Sequence, residues 1–212
     1  VTDRLEIALL FGGRSGEHEV SLRSAASVAA GLASRHRVRP VLIDHEGSWF
    51  LQEGPEPQPT GGEPVFLAGQ PTDGARLRRL ADAAEALRPD LYFPVLHGPF
   101  GEDGTIQGLL ELAGATYVGS GVAASAGGMD KEMMKALFAA ASIPQTAYRV
   151  VRDRPPERAA ALELPAELGL PLFVKPANMG SSVAVSKVKR AEDLAPALDL
   201  ALAFDRKAVV EA

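Results

Sequence analysis

The residues of this sequence best suited to chemistry fall into four short stretches. The first, GGRSGEHEVS from Gly12 to Ser21, is a glycine turn between an apolar run and an amphipathic one. Such a turn presents backbone N–H groups at the carboxyl edge of a parallel sheet, where α/β folds place ligands. The spacing is not G-x-G-x-x-G, so the dinucleotide fingerprint is missing. Glu17 and Glu19 either complement the dipole of the following helix or supply a carboxylate for a ligand's ammonium group. The second stretch, VLHGPFGEDGTIQG from Val95 to Gly108, gathers His97, Glu102, Asp103 and three glycines before another helix. It reads either as a helix cap by Asp103 or as a donor surface for a small anionic substrate, with His97 as the chief donor.

The third stretch, MDKEMMK, sets Lys131 and Lys135 four residues apart on one helix face, a pattern that by itself describes a solvated face. The fourth, LFVKPANMGSSVAVSKV from Leu172 to Val188, places a lone lysine at the end of an apolar run and a small-residue loop after it. It is not a Walker loop, because the lysine precedes the glycine instead of following it. Alternation puts Leu172 and Val174 on one strand face and Phe173 and Lys175 on the other. Lys175 therefore stands at the strand's end, aimed under the loop. Gly180 permits close backbone approach, and Ser181 and Ser182 add hydroxyl and N–H donors suited to phosphate oxygens. A polar hairpin loop is the plainer alternative.

These stretches need a scaffold, and the hydrophobic pattern supplies one. Leu5 to Phe11 reads as a strand buried on both faces. Val20, Ala25, Val28, Ala29 and Leu32 follow a helical period, and Arg39 to Asp44 is a second strand, with a hairpin into Trp49–Leu51. Gln52 to Gly74, rich in proline and glycine, reads as a surface loop. A helix is expected from Ala75 to Leu87, then a strand from Asp90 to Leu96, a helix from Thr105 to Leu112 and a short strand at Thr116 to Val118. The alternation predicts a parallel sheet with helical crossovers. Beyond Gly119 the expected order is a helix from Met129 to Ala141, a strand from Thr146 to Val151, and a helix from Arg158 to Leu168 interrupted near Pro165. Two strands around the Gly-Ser-Ser loop, a helix from Ala191 to Phe204 and a strand from Lys207 complete an α+β unit. KAVVEA ends the chain within a strand, so the sequence reads as a fragment.

Composition narrows the function classes. The 212 residues carry a formal net charge of −5, which argues against a nucleic-acid-binding surface. There is no cysteine, which excludes disulfides and thiolate-bound metals. No apolar stretch is long enough to span a membrane, and a cytoplasmic protein is expected. His18, His36, His45 and His97 are scattered, with no metal-ligand pair at helical spacing.

In this order, GGRSGEHEVS, LHGPFGEDGTIQG, YVGSGVAASAGGMDK, LFVKPANMGSSV and KAVVEA resemble the D-alanine–D-alanine ligase family of the ATP-grasp superfamily. The resemblance implies an N-terminal Rossmann-like, parallel-sheet substrate domain over residues 1–118. A central ATP-grasp subdomain would occupy 119–212, with a C-terminal ATP-grasp domain absent. It implies phosphorylation of one D-alanine carboxylate by ATP and attack by the amine of a second, giving D-alanyl-D-alanine for peptidoglycan synthesis. By the same resemblance, Glu17 would hold the first D-alanine's ammonium group and His97 would lie beside its carboxylate. Ser181 would hydrogen-bond near Glu17 and order the loop. Lys131 and Lys175 would meet ATP phosphates with Gly180, Ser181 and Ser182, and Glu211 would reach the adenine amino group. Magnesium (or manganese) is implied as a cofactor with its ligands in the absent domain, the 212 residues alone are expected to be inactive, and a homodimer is implied. Two departures stand out: Ala184 replaces the family's usual glycine, and Ala212 a frequent lysine. A D-alanine–D-lactate ligase, another ATP-grasp carboxylate–amine ligase and a non-catalytic nucleotide-binding fragment remain the alternatives.

Overall fold

The computed structural model describes residues 4–212. The chain forms two compact units, one up to Ala126 and one from Gly127. The first begins with β1 (Glu6–Gly12), α1 (His18–Leu32) and β2 (Arg37–Ile43). A run of short strands follows: β3 (Trp49–Leu51), β4 (Glu63–Leu67), β5 (Leu77–Arg79), β6 (Glu85–Leu87) and β7 (Leu91–Pro94). Next come α2 (Thr105–Leu112) and α3 (Val122–Met129), the latter spanning the division between units.

The sheet order is β6-β5-β4-β3-β2-β1-β7. β1 pairs in parallel with β2 and with β7, while β2 through β6 join as successive antiparallel neighbours. The α/β expectation holds, with the parallel part confined to β2-β1-β7 and an antiparallel extension beyond it. β1 is buried along its length because alternate residues serve two layers. Leu9 and Phe11 pack with Ala25 and Ala29 of α1, and Ala8 and Leu10 pack with Ile106 and Leu110 of α2.

Three sequence expectations need correction here. Ala75 to Leu87 is not a helix: β5 and β6 form a hairpin, although its alanines, leucines and arginines favour helix locally. Pairing against β4 overrides that propensity, with Leu77 opposite Leu67 and Val65 opposite Arg79. Asp82 supports the turn by accepting from Ala84 N at 3.0 Å, and Leu77 and Leu87 reach the core. Gln52 to Gly74 is more than a surface loop, since it contains β4 and the buried Val65. The buried Gln52 amide clamps the rest, donating to Gln58 O and Gly61 O and accepting from Gln58 N. Thr116 to Val118 contributes one parallel bridge, Tyr92 to Tyr117, in place of a strand.

The second unit contains α4 (Lys131–Ala140), β8 (Tyr148–Arg152), α5 (Pro155–Ala161), α6 (Leu164–Leu168), β9 (Leu172–Pro176) and β10 (Ser186–Val188). It closes with α7 (Leu194–Phe204) and β11 (Lys207–Glu211). Its sheet is antiparallel throughout, in the order β10-β9-β11-β8. Leu172 and Val174 of β9 face a core shared with Leu194, Leu198 and Val210, which leaves Phe173 and Lys175 on the opposite face as the alternation predicts.

Ser21, fully buried at the first turn of α1, ties the end of β1 to the residue that follows β7. Its hydroxyl accepts from Gly12 N at 2.8 Å and donates to Val95 O at 2.5 Å. Ser21→Ala leaves both backbone groups buried without that partner, and should lower the unfolding free energy by about 1–3 kcal/mol in urea titration.

Candidate functional site

In the first unit, the loops after β1 and β7 emerge at the same edge of the sheet because the two strands are parallel neighbours. Ser15 joins them, donating from its hydroxyl to His97 O at 2.6 Å and accepting from Glu17 N at 3.1 Å. Glu17 is buried at 8 % exposure, and its carboxylate packs so closely on Gly98 that a Cβ there would overlap it. Gly98 also has φ +69°, a second reason for glycine at that point. His97 Nε2 and the Ser24 hydroxyl share a 3.0 Å hydrogen bond, which fixes the ring against α1. A cavity of about 180 Å³ opens between the loops, lined by Gly13, His97, Phe100 and Ile106 among others. Glu17 and His97 are thus brought onto adjoining loops. The positioning hydroxyls of Ser15, Ser21 and Ser24 carry no sequence signal beyond being polar residues next to glycines or on a helix.

In the second unit, Lys131, Lys175, Gly180, Ser181, Ser182 and Glu211 all line one cavity of about 580 Å³. Glu211 and Lys175 project from the same face of paired strands β11 and β9 and form an ion pair. Glu211 also pairs with Lys135 at 2.9 Å. Burial works against ionisation of this carboxyl, but the hydrogen bonds and charges of Lys175 and Lys135 prevail and hold it below the ordinary glutamate range. Lys135, only 6 % exposed, also lies over the Tyr148 ring at 4.7 Å. Its sequence reading as half of a solvated face is therefore corrected. The i, i+4 spacing marked the face, and nothing local revealed that the sheet would bury it.

Lys131 donates from Nζ to Met179 O at 2.6 Å and to Ala177 O at 3.3 Å, bracing the root of the loop. Burial, followed by the nearby Lys175 charge, pulls its pKa below the ordinary lysine value. The start of α4 is held by Asp130, whose side chain accepts from Glu132 N and Met133 N. Asp130 in turn pairs with Lys207 at 2.5 Å, and Lys207 reaches Glu132 at 2.9 Å. Asp205 secures the same root, accepting from Asn178 N and Nδ2 at 2.7 and 2.9 Å. Gln145 lines the same cavity; it donates to Lys135 O at 2.8 Å, while its buried Oε1 has no hydrogen-bond partner among the described residues.

A cavity ringed by lysines, with a small-residue loop over it and an aliphatic and aromatic wall, suits a phosphorylated nucleotide. A model described as D-ala D-ala ligase N-terminus matches residues 6–120, and one described as D-ala D-ala ligase C-terminus matches residues 137–212. The chain belongs to the D-alanine–D-alanine ligase family. A D-alanine–D-alanine ligase from Deinococcus radiodurans is 50 % identical over 209 residues, covering 97 % of this chain and 59 % of its own. The D-alanyl-alanine synthetase A structure from Vibrio cholerae superposes with a TM-score of 0.83 at 33 % identity, covering 100 % of this chain and 60 % of its own. The VanG D-Ala:D-Ser ligase from Enterococcus faecalis gives a TM-score of 0.84 at 33 % identity, covering 99 % and 62 %. The chain spans about three-fifths of the length of the curated relatives it matches. Among the described residues, no helix is long and apolar enough to cross a membrane.

The loop after β9 is conformationally loaded. Ser181, Ser182 and Ala184 all have positive φ, with Ala184 at +53°. A left-handed alanine costs about 1–2 kcal/mol and a glycine returns part of that gain as chain entropy, so Ala184→Gly should stabilise the protein by up to about 1 kcal/mol in urea titration. Glu211 yields a pH prediction. Its folded pKa is depressed, so its stabilising contribution is complete above the unfolded value near pH 4.3 and is lost as pH falls through the folded value. Glu211→Gln should lower stability at pH 7 and flatten the acid side of the stability curve below about pH 4.3, read from urea midpoints.

Proposed function

We propose that this chain is the first-substrate and ATP-binding part of an ATP-dependent ligase joining two D-alanines through a D-alanyl phosphate, for peptidoglycan precursors. The observation that carries the reading is the second-unit cavity, whose lining includes all six residues expected at the nucleotide. The unspent Oε1 of Gln145 and the carboxylate of Glu211 offer acceptors for an amino-substituted base. Lys131 and Lys175 would neutralise phosphate oxygens, and backbone and hydroxyl groups from Gly180 to Ser182 would cover them. In the first unit, Glu17 supplies the charge for an ammonium group, and His97 sits on the adjoining loop for the carboxylate of the same amino acid.

A carboxylate is a poor electrophile, and transfer of a phosphoryl group to it from ATP provides the leaving group that an incoming amine displaces. The chain's part in that reaction is positioning and charge neutralisation under a closed loop. Magnesium does not fit this cavity. Glu211 is the one carboxylate among its lining residues, and it is engaged by two lysines. The reading assigns the magnesium ligands to residues outside this chain, and no step is derived through the ion. It also includes a homodimeric, cytoplasmic enzyme, with the 212 residues inactive by themselves.

Phosphate release from ATP by the full-length protein tests the proposal, with D-alanine, D-serine and D-lactate offered in parallel as the second substrate. D-alanine-dependent release and dipeptide formation are expected, and release indifferent to D-alanine would remove the ligase reading. Glu17→Gln should weaken the first D-alanine by about 1.5–3 kcal/mol, the range of a hydrogen bond to a charged group, with KM for ATP little changed. Lys175→Ala should raise KM for ATP more than KM for D-alanine, and the reverse ordering would contradict its assignment.

A further inference from the structure

We propose that His18, Glu19 and His45 form a binding site for a borderline transition-metal ion such as Zn²⁺ or Cu²⁺, independent of the ligase chemistry. The histidines read as scattered in sequence, but the fold stacks the His18 and His45 rings with centroids 3.9 Å apart and an interplanar angle of 25°. Ligand atoms of these two imidazoles and of the Glu19 carboxylate all lie within 4.8 Å of one another.

The surroundings prepare two of the three groups. His18 is buried, and its Nδ1 lies 2.7 Å from Gly13 O, so the proton resides on Nδ1 and Nε2 keeps its lone pair. This is the arrangement a metal-binding imidazole adopts when its second nitrogen is held by a backbone carbonyl. Among the described residues Nε2 makes no hydrogen bond. His45 sits in the β2–β3 turn, which Asp44 stiffens by accepting from Glu46 N at 3.0 Å and Ser48 N at 2.8 Å. The stack holds the two in-plane lone pairs nearly parallel, so the exposed His45 ring turns out of it for both nitrogens to meet one ion.

Two imidazoles and one carboxylate favour zinc, nickel or copper over magnesium or calcium, which take all-oxygen sets, with water completing the coordination. The positive end of α1 opposes a cation here, and the Glu19 carboxylate offsets it. Because His18 directly follows Glu17, an ion would pin the start of α1 to the β2–β3 turn.

The test is calorimetric titration of chelator-treated protein with Zn²⁺, without nucleotide or magnesium, beside His45→Ala and Glu19→Gln. Both replaced residues are exposed, so folding is not at stake. The wild-type protein should bind one more Zn²⁺ equivalent than His45→Ala, or bind it at least about 10-fold more tightly, with a smaller loss in Glu19→Gln. Cu²⁺ at the same site should show electron-spin couplings to two nitrogens in the wild-type protein and to one in His45→Ala. Equal Zn²⁺ titrations for wild type and His45→Ala, or no Zn²⁺ binding at all, would overturn the proposal.

Discussion

Lysine ammonium groups cannot share a half-buried cavity without an anion among them, and Glu211 is that anion. Its carboxylate is bound by Lys135 and Lys175, from a helix and a neighbouring strand, so one acidic side chain sets the geometry of the cationic wall. Lys131 is stabilised differently, by the carbonyls of Ala177 and Met179, and burial holds its pKa below the ordinary lysine value. A phosphate ligand would supply the negative charge that Lys131 lacks. With three lysines and one carboxylate in its lining, the cavity carries an excess of positive charge. Under the proposed function, the phosphates of a nucleotide would neutralise that excess.

The supports around this wall have the same logic of spent hydrogen bonds. Asp130, Glu132 and Lys207 close a network at the start of α4; burial pulls Lys207 down, but the two carboxylates prevail and leave it more basic than an ordinary lysine. Asp205 holds the first residues of the loop after β9, and beyond them the chain enters left-handed backbone at Ser181, Ser182 and Ala184. Anchored at its root and strained beyond it, the loop has its rigid and adaptable parts in the order a cover needs.

Much of this was legible in the residues, and the exceptions have identifiable causes. The period-2 alternation around Lys175 and the buried first strand follow from local pattern alone, and both are present. Ala75 to Leu87 carries a helical composition that a neighbouring strand overrides, and no local window holds that information. Lys135 was visible only as half of an i, i+4 pair, because its partner Glu211 lies on a strand far along the chain. Serine hydroxyls that bridge loops, and histidines brought together by a sheet, belong to the same class. Their partners are set by topology, which spacing along the chain does not encode.

The layout of the first sheet separates growth from chemistry. The Glu17 and His97 loops leave β1 and β7 at one end of the strand order, and the short hairpins β4 to β6 lie at the other. Each hairpin adds to an already paired edge, and Gln52 closes the long connection upon itself. Insertions or deletions in that region would therefore be absorbed at the far margin without moving the Glu17 and His97 loops. The proline- and glycine-rich segment is therefore the part of the first unit best placed to tolerate a change in length.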